Sequence, residues 1–577
     1  MRTTFAVLTL LSLPLLTSHA QAQPSTRGAE RATAKGQATA KGQATAKDGL
    51  AAGRKALAEG RFEEALAAFE QAAAADGGAP LTRMWVGRAL SALGRHDDAL
   101  ALADELRKLG LPGGDVDYLF GHALLGFTKA SLAGGGNAFT QGQFLDAASA
   151  LKRALAHNAN DYADAWLPLA ECAWYGQDLP GARAAATKAA ELAPRSSAAH
   201  ALLGRVAMAQ YAAATDEAEK ATHWSAARSA FETAVRLEGE PAEAWKRGAL
   251  AEWHTQLGHL HGFAADKAKA SEHYATAIGW EPSRVDFGVL RNVLGTELAQ
   301  PCLLEGEKRF LQRYAESDAL YATLSWWLGY GHFEAAQWPE CERAYRRAVA
   351  LWPGYANSWY YVFRACSSQQ KREEALAALR AYDEASPQGL IESLAGQKAY
   401  SLPALEHLVG WCADPGKHNG RARNVDAAYL SDVLTRLEPE TSRFWNNLGL
   451  FVRDHGDALR WARSAEATPE KLDELWKRAL LAYEKALALE PENPNYLNDT
   501  AVMLHYYLKR DYDKALSMYE RAAVLADQIL ARKDLDPDTR EVVKIAARDS
   551  KNNTVKVKRL MEKLARGEKP DQSDENN

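Results

Sequence analysis

Along most of the chain, apolar residues recur at intervals of three and four. Phe62, Ala65, Phe69 and Ala72 set the pattern, and that spacing puts all of them on one face of a helix. Ala65 is small enough to let a partner helix approach, while Phe62 and Phe69 fill the space beside it. Gly60 marks the turn just before. The same face returns with its own residues at Phe144, Ala147, Leu151 and Ala154, at Leu179, Ala182, Ala186 and Ala189, and at Trp224, Ala227, Phe231 and Ala234. It returns again at Ala270, Tyr274 and Ala277, at Trp338, Cys341, Tyr345 and Ala348, at Ala375 and Leu379, at Trp476, Ala479, Tyr483 and Ala486, and at Tyr512, Ala515, Tyr519 and Ala522. Several copies are closed by a proline: Pro194, Pro282, Pro353, Pro387 and Pro491. A face that no single hairpin can bury, repeated at a regular period, predicts stacked helical hairpins.

A complementary half precedes many of these copies. It reads Trp166 with Leu169, Leu203-Gly204, Trp245, Leu328-Gly329, Trp359, and Trp445 with Leu448-Gly449. Together the two halves resemble the tetratricopeptide repeat (TPR), a helix-turn-helix unit of about 34 residues. The resemblance covers roughly residues 46 to 527. It implies an all-α fold, a right-handed α-solenoid of stacked helix-turn-helix hairpins, and it implies that Trp166, Trp245, Trp359 and Trp445 are core.

The match departs from the family in places. The units at 115–160, 197–240, 242–282 and 442–493 carry extra residues between their halves, including Gly134-Gly135-Gly136, Gln210 to Thr222 and Asp457 to Leu475. Lengthened helices with extended turns are expected there, the latter two inserts reading as polar helix. Residues 283–320 and 390–440 keep helical periodicity but fit poorly, and are expected to be degenerate hairpins.

The ends of the chain differ from its body. Arg2, the apolar run Phe5 to Leu16 and the small residues at Ala20-Gln21-Ala22, with Ser18-His19-Ala20 as a second cut site, read as a secretory signal peptide over residues 1–22. Its apolar run is shorter than the roughly 20 residues needed to span a bilayer, and no later segment is long enough, so no transmembrane segment is expected in the mature chain. Residues 23–47 read as a basic low-complexity linker, with Ala-Thr-Ala-Lys-Gly-Gln repeated and Arg27, Arg31, Lys35, Lys41 and Lys47 set against Glu30; such a segment has little to bury. The TPR-like solenoid is placed at 48–527, capping helices at 528–566 with one opening at Pro537-Asp538, and a disordered tail at 567–577.

Composition and charge narrow the function. Hydrophobic residues make up 47% and charged residues 25%, an ordinary soluble balance. The net charge of -5 supplies no positive field for nucleic acid, so no nucleic-acid partner is expected. There is no phosphate loop, GxSxG elbow or HExxH, and the repeats leave no room for a separate catalytic domain; the chain reads as no enzyme, with no catalytic residue and no cofactor. His254, His259 and His261, with His273 nearby, are the best metal candidates, yet spacings of five and two do not put three imidazoles on one helical face, so no metal site is assigned. Cys412 and His418 flank a Pro-Gly turn and lack companions. The five cysteines form no CxxC pair; Cys341 takes a small-residue position, and Cys366 falls close enough in a normal stack for a disulfide in an oxidising compartment.

The aromatic residues say more. In the family, a second set of first-helix positions faces the inner, concave surface, and here those positions hold Trp174, Trp253, Trp326, Tyr330, Phe333 and Tyr360. Covered by the inserts they are core; left open they line a groove. No Lys, Arg and Asn set of the kind that clamps a C-terminal carboxylate in some members is present, since Lys246-Arg247 and Asn446-Asn447 stand in distant units. The sequence therefore predicts an exported protein, periplasmic or secreted and bacterial, that serves as an interaction scaffold for a protein or peptide, with a glycan or envelope polymer as the alternative ligand.

Overall fold

The computed structural model describes residues 40–111, 113–133, 140–241 and 244–570. Residues 1–22, read above as a signal peptide, the stretch read as linker up to residue 39, Gly134-Gly135-Gly136 and the residues from 571 lie outside the described residues, as does the side chain of Trp245. The described residues form 26 α-helices and no strand. The fold is an all-α solenoid of stacked helix-turn-helix hairpins.

The chain divides into two compact units, Met1–Trp327 and Leu328–Asn577, the division falling inside the Tyr321–Glu334 helix. In the first unit Ala40–Ala58 pairs with Phe62–Ala75, Gly113–Ala133 with Thr140–His157, Ser197–Ala213 with Glu217–Glu238, and Ala244–Phe263 with Lys267–Trp280. In the second, Ser358–Ser368 packs between Trp338–Leu351 and Arg372–Ala385, Ser442–Trp461 pairs with Pro469–Leu489, and Pro494–Val502 with Tyr512–Leu530.

One turn closes many of these hairpins. The residue just past the first helix takes a left-handed conformation, and the next N–H reaches back across the last turn: Arg61 N to Ala56 O at 2.9 Å behind Gly60, and Gln337 N to His332 O at 2.9 Å behind Ala336. This satisfies helix-end carbonyls that would otherwise be orphaned. Glycine suits the position, and Gly60 and Gly94 occupy it; Gln177, Ala265, Ala336 and Gln370 adopt the same positive φ at a cost of about 1 kcal/mol. Asp178 and Asp266 then cap the following helix, accepting from the backbone N–H groups of Gly181 and Lys269.

The 3, 4, 3 face is the core. Phe69, Phe144, Phe231, Tyr274, Tyr345, Tyr483 and Tyr519 are each fully buried, and so are the alanines that flank them. In several hairpins the ring seats over a glycine of the first helix. An added Cβ would come within 2.9 Å of the ring at Gly204 against Phe231, 2.6 Å at Gly258 against Tyr274, and 2.8 Å at Gly329 against Tyr345. The glycine thus sets how closely the two helices approach.

The departures from the repeat have a structural form. Ordinary helices such as Phe62–Ala75 run 14 residues, whereas Gly113–Ala133 has 21, Glu217–Glu238 has 22 and Pro469–Leu489 has 21. The polar stretch Gln210 to Thr222 is broken at Ala214–Asp216, because Asp216 accepts from Ala218 N and Glu219 N and starts a new helix. Asp457 to Leu475 is broken likewise between Trp461 and Pro469. Residues 283–320 hold the short Phe287–Leu294 helix and the longer Thr296–Leu311. Residues 390–440 hold most of Pro387–Gly396, then Lys398–Ala413 and Asn424–Leu437. Helix already covers Ala40–Lys47, inside the stretch read as linker, since its alanines favour helix once a hairpin follows. At the other end a single 29-residue helix, Pro537–Ala565, packs on Tyr512–Leu530.

Candidate functional site

The second unit gathers aromatic residues from successive first helices. Tyr330 and Phe333 lie one turn apart on Tyr321–Glu334, their rings 6.4 Å apart. Tyr361 of the Ser358–Ser368 helix meets both edge-on, at 5.2 Å from Phe333 and 6.3 Å from Tyr330, and stacks on Tyr345 at 4.5 Å. Trp338 closes on Phe333 at 5.9 Å. Such edge-to-face and stacked contacts hold rings in fixed orientations and add about 0.5–1.5 kcal/mol per pair beyond the buried area. Burial pushes the Tyr361 hydroxyl up to about 12, so it stays neutral and hydrogen-bonding at physiological pH.

Arg364 lies at the centre of this group. Its guanidinium sits 3.6 Å over the Tyr400 ring, 5.0 Å over Phe333 and 6.0 Å over Tyr360, and Nη1 donates to the Tyr360 hydroxyl at 3.2 Å. Tyr360 itself is buried, whereas Tyr330, Phe333, Arg364 and Tyr400 are half-buried. A partly exposed cation bracketed by rings is a preformed surface for stacking and for an anion.

Residues 56–110 and residues 132–197 each match a family model described as tetratricopeptide repeat. The chain carries tetratricopeptide repeats. No curated protein matches it. Among solved structures it is similar to yeast Tom70, at 13% identity over 90% of this chain and 99% of that one, with a TM-score of 0.21. It is also similar to the APC/C hetero-tetramer Cut9-Hcn1, at 13% identity over 87% and 96% with a TM-score of 0.26. A third is the P58(IPK) TPR domain, at 17% identity over 75% and 98% with a TM-score of 0.17. These likenesses bear on neither partner nor mechanism.

The predicted aromatic set is not one surface. Tyr330, Phe333 and Tyr360 come together as described. Trp326, in the first unit, meets Trp327 edge-on at 5.0 Å, and Trp327 in turn stacks on Phe287 at 5.4 Å. Trp253 is 5% exposed and belongs to the core around Phe231 and Leu257. Trp174 packs half-buried against Ala173, Ala182 and Val206. The reverse holds for the skeleton tryptophans: Trp166, Trp359 and Trp445 are half-buried, not sealed in the core. The indole is large enough to reach the rim between repeats, where Trp445 Nε1 donates to Pro439 O at 2.8 Å. Arg364 and Tyr400 escaped the sequence reading. Arg364 is four residues beyond Tyr360 and so on its face, a findable signal; Tyr400 lies in a stretch where the repeat skeleton could not be placed.

The histidines are closer than their spacing suggested. His254 and His261 are seven residues apart, two turns of one helix, and His273 comes between them from Lys267–Trp280. His254 Nδ1 and His273 Nδ1 are 3.0 Å apart, and the His261 and His273 rings stack at 5.3 Å. Parallel stacked rings do not converge their lone pairs, and among the described residues no group of three His, Cys, Asp or Glu is arranged to hold a metal ion. His259 instead bonds the Tyr274 hydroxyl at 2.6 Å. Burial drives His254 down to about 3, and His259 and His273 to about 4, so all three are neutral. Cys341 and Cys366 are free buried thiols rather than a disulfide, as are Cys172, Cys302 and Cys412.

Proposed function

We propose that this protein is an exported, non-enzymatic interaction scaffold that binds a peptide or protein partner on its first-helix faces. Tetratricopeptide-repeat proteins are in general protein-interaction scaffolds, and among the described residues no helix is long and apolar enough to cross a membrane. The observation that carries the reading is the cluster of Tyr330, Phe333, Tyr360 and Arg364: aromatic rings and a partly exposed cation, held rigid by their neighbours, at positions the hairpin's own packing does not require. Rigid aromatic and arginine side chains lose little entropy on binding and dominate interface energetics. Trp174 and Trp326 offer secondary contacts within the first unit, where Trp253 supports the helices from beneath. Placement in the cell envelope or outside the cell rests on residues 1–22.

Two experiments test this. The full chain, immobilised, should retain a protein from an envelope extract, and Phe333→Ala with unchanged helicity should lose it. Retention that is identical for both proteins removes the aromatic surface, and retention of polysaccharide alone shifts the ligand to a glycan. N-terminal sequencing of native protein should begin at Gln21 or Gln23; finding Met1 removes export.

A further inference from the structure

Among the described residues, the positive charge of Arg364 has no carboxylate counterpart. Elsewhere in the second unit several partly buried arginines meet carboxylates: Arg346 meets Glu342 at 2.9 Å, Arg380 meets Asp426 at 2.6 Å, and Arg436 meets Asp383 at 2.7 Å. Arg453 likewise meets Asp454 at 2.8 Å; Arg372 and Arg540 meet a histidine ring and backbone carbonyls instead. Arg364 has one hydrogen bond, to the neutral Tyr360 hydroxyl, and its Nε is buried without an acceptor. Three aromatic rings surround the guanidinium. Rings stabilise a cation but accept no full hydrogen bond, so the Nη edge of the guanidinium, with Nη2 and the second N–H of Nη1, remains available to an anion of matching geometry.

Deepening the scaffold reading, on which it rests, we infer that Arg364 is the specificity determinant of the surface and that the partner presents an acidic side chain, Asp or Glu, flanked by an aromatic or aliphatic residue. A carboxylate offers two oxygens in the plane that a guanidinium fork matches, and its bond to arginine is stronger where rings displace water. The flanking apolar residue packs on Phe333 or Tyr400. Aromatic contacts lie on both sides of Arg364, from the Tyr321–Glu334 helix and from Lys398–Ala413. A segment crossing these helices therefore runs past the arginine, which selects an internal acidic residue and not a chain end.

The test uses the full chain and a fluorescein-labelled peptide with the core Phe-Glu-Glu-Phe between Gly-Ser flanks, amidated at its C terminus. Its counterpart carries Phe-Gln-Gln-Phe, once amidated and once with a free C-terminal carboxylate. Fluorescence anisotropy should show the Glu core binding wild-type protein about tenfold more tightly than either Gln peptide, a factor worth about 1.4 kcal/mol. Arg364→Gln should erase that preference while leaving the Gln-core affinity unchanged. Arg364→Lys, which keeps the charge and the stem, should reduce it and serves if the glutamine variant fails to fold by circular dichroism. A preference that survives substitution of Arg364, a wild-type protein that does not distinguish Glu from Gln, binding restored by the free chain end alone, or no binding of any peptide overturns the inference. If both cores bind equally and Phe333→Ala weakens both, the aromatic surface stands and only the carboxylate recognition falls; if Phe333→Ala weakens neither, the surface itself fails.

Discussion

Replacing Gly449 by alanine tests how the hairpins interlock. Gly449 lies in the middle of Ser442–Trp461, and a Cβ there would stand 2.9 Å from Cγ, Cδ1 and Cε1 of Tyr483. Carbon atoms pack best at about 3.5–4.0 Å, so three ring atoms would overlap the new methyl at once. The ring has little room to withdraw, because Tyr483 is fully buried with Ala479 and Ala486 beside it on its own helix. Overpacking of this kind costs about 1–3 kcal/mol, and alanine returns about 1 kcal/mol of helix propensity. The expected balance is a net loss of up to about 2 kcal/mol. Gly410 provides the control: it is exposed inside Lys398–Ala413, and an added Cβ would meet nothing within 4 Å, so Gly410→Ala should stabilise by about 0.5–1 kcal/mol. Both positions belong to the second unit. Because repeat arrays need not unfold in a single step, urea unfolding by circular dichroism is best joined to hydrogen exchange across residues 442–489. A urea midpoint raised by Gly449→Ala as much as by Gly410→Ala would refute the view that ring-over-glycine contact sets the helix approach.

Trp253→Ala should cost about 3–5 kcal/mol in thermal unfolding, as truncation of a buried aromatic does, whereas Phe333→Ala should weaken partner binding by about 1–3 kcal/mol in calorimetric titration with a smaller loss of stability. Burial pushes the thiols of Cys172, Cys341, Cys366 and Cys412 up to about 12 and that of Cys302 to about 11, so a disulfide-exchange reagent at pH 8 should label the native protein negligibly and all five cysteines in urea. His254 and His273 titrate at about 3 and about 4 when folded, below their ordinary 6.5. The unfolded chain therefore takes up more protons as pH falls below about 6.5, and stability is lost on the way down to about 4 for His273 and about 3 for His254; His273→Gln should flatten the upper part of that pH dependence of the urea midpoint.

Periodicity by itself determined the class of this protein. Of the residues at three-and-four spacing, Phe69, Tyr274, Tyr345 and Tyr483 are fully buried, and the opening residues Phe62, Leu179, Trp224 and Tyr512 are half-buried at the margin, because a helix turns through the same angle per residue whatever surrounds it and an apolar stripe on it must meet another. Which aromatic residues beyond that stripe face outward was a different matter. Trp253, Tyr330 and Phe333 look alike in sequence, yet Trp253 is sealed in the core while Tyr330 and Phe333 are half-buried, Phe333 beneath the Arg364 guanidinium. Their exposure depends on where the neighbouring hairpins pack, which local periodicity does not encode. The histidines show the same limit: His254 and His261 share a face that their spacing allows one to read, but only the packing of the Lys267–Trp280 helix sets His273 against both. Helix faces follow from the local chain geometry. Contacts between helices, and with them the charge on Arg364 left facing rings in place of a carboxylate, follow from tertiary packing alone.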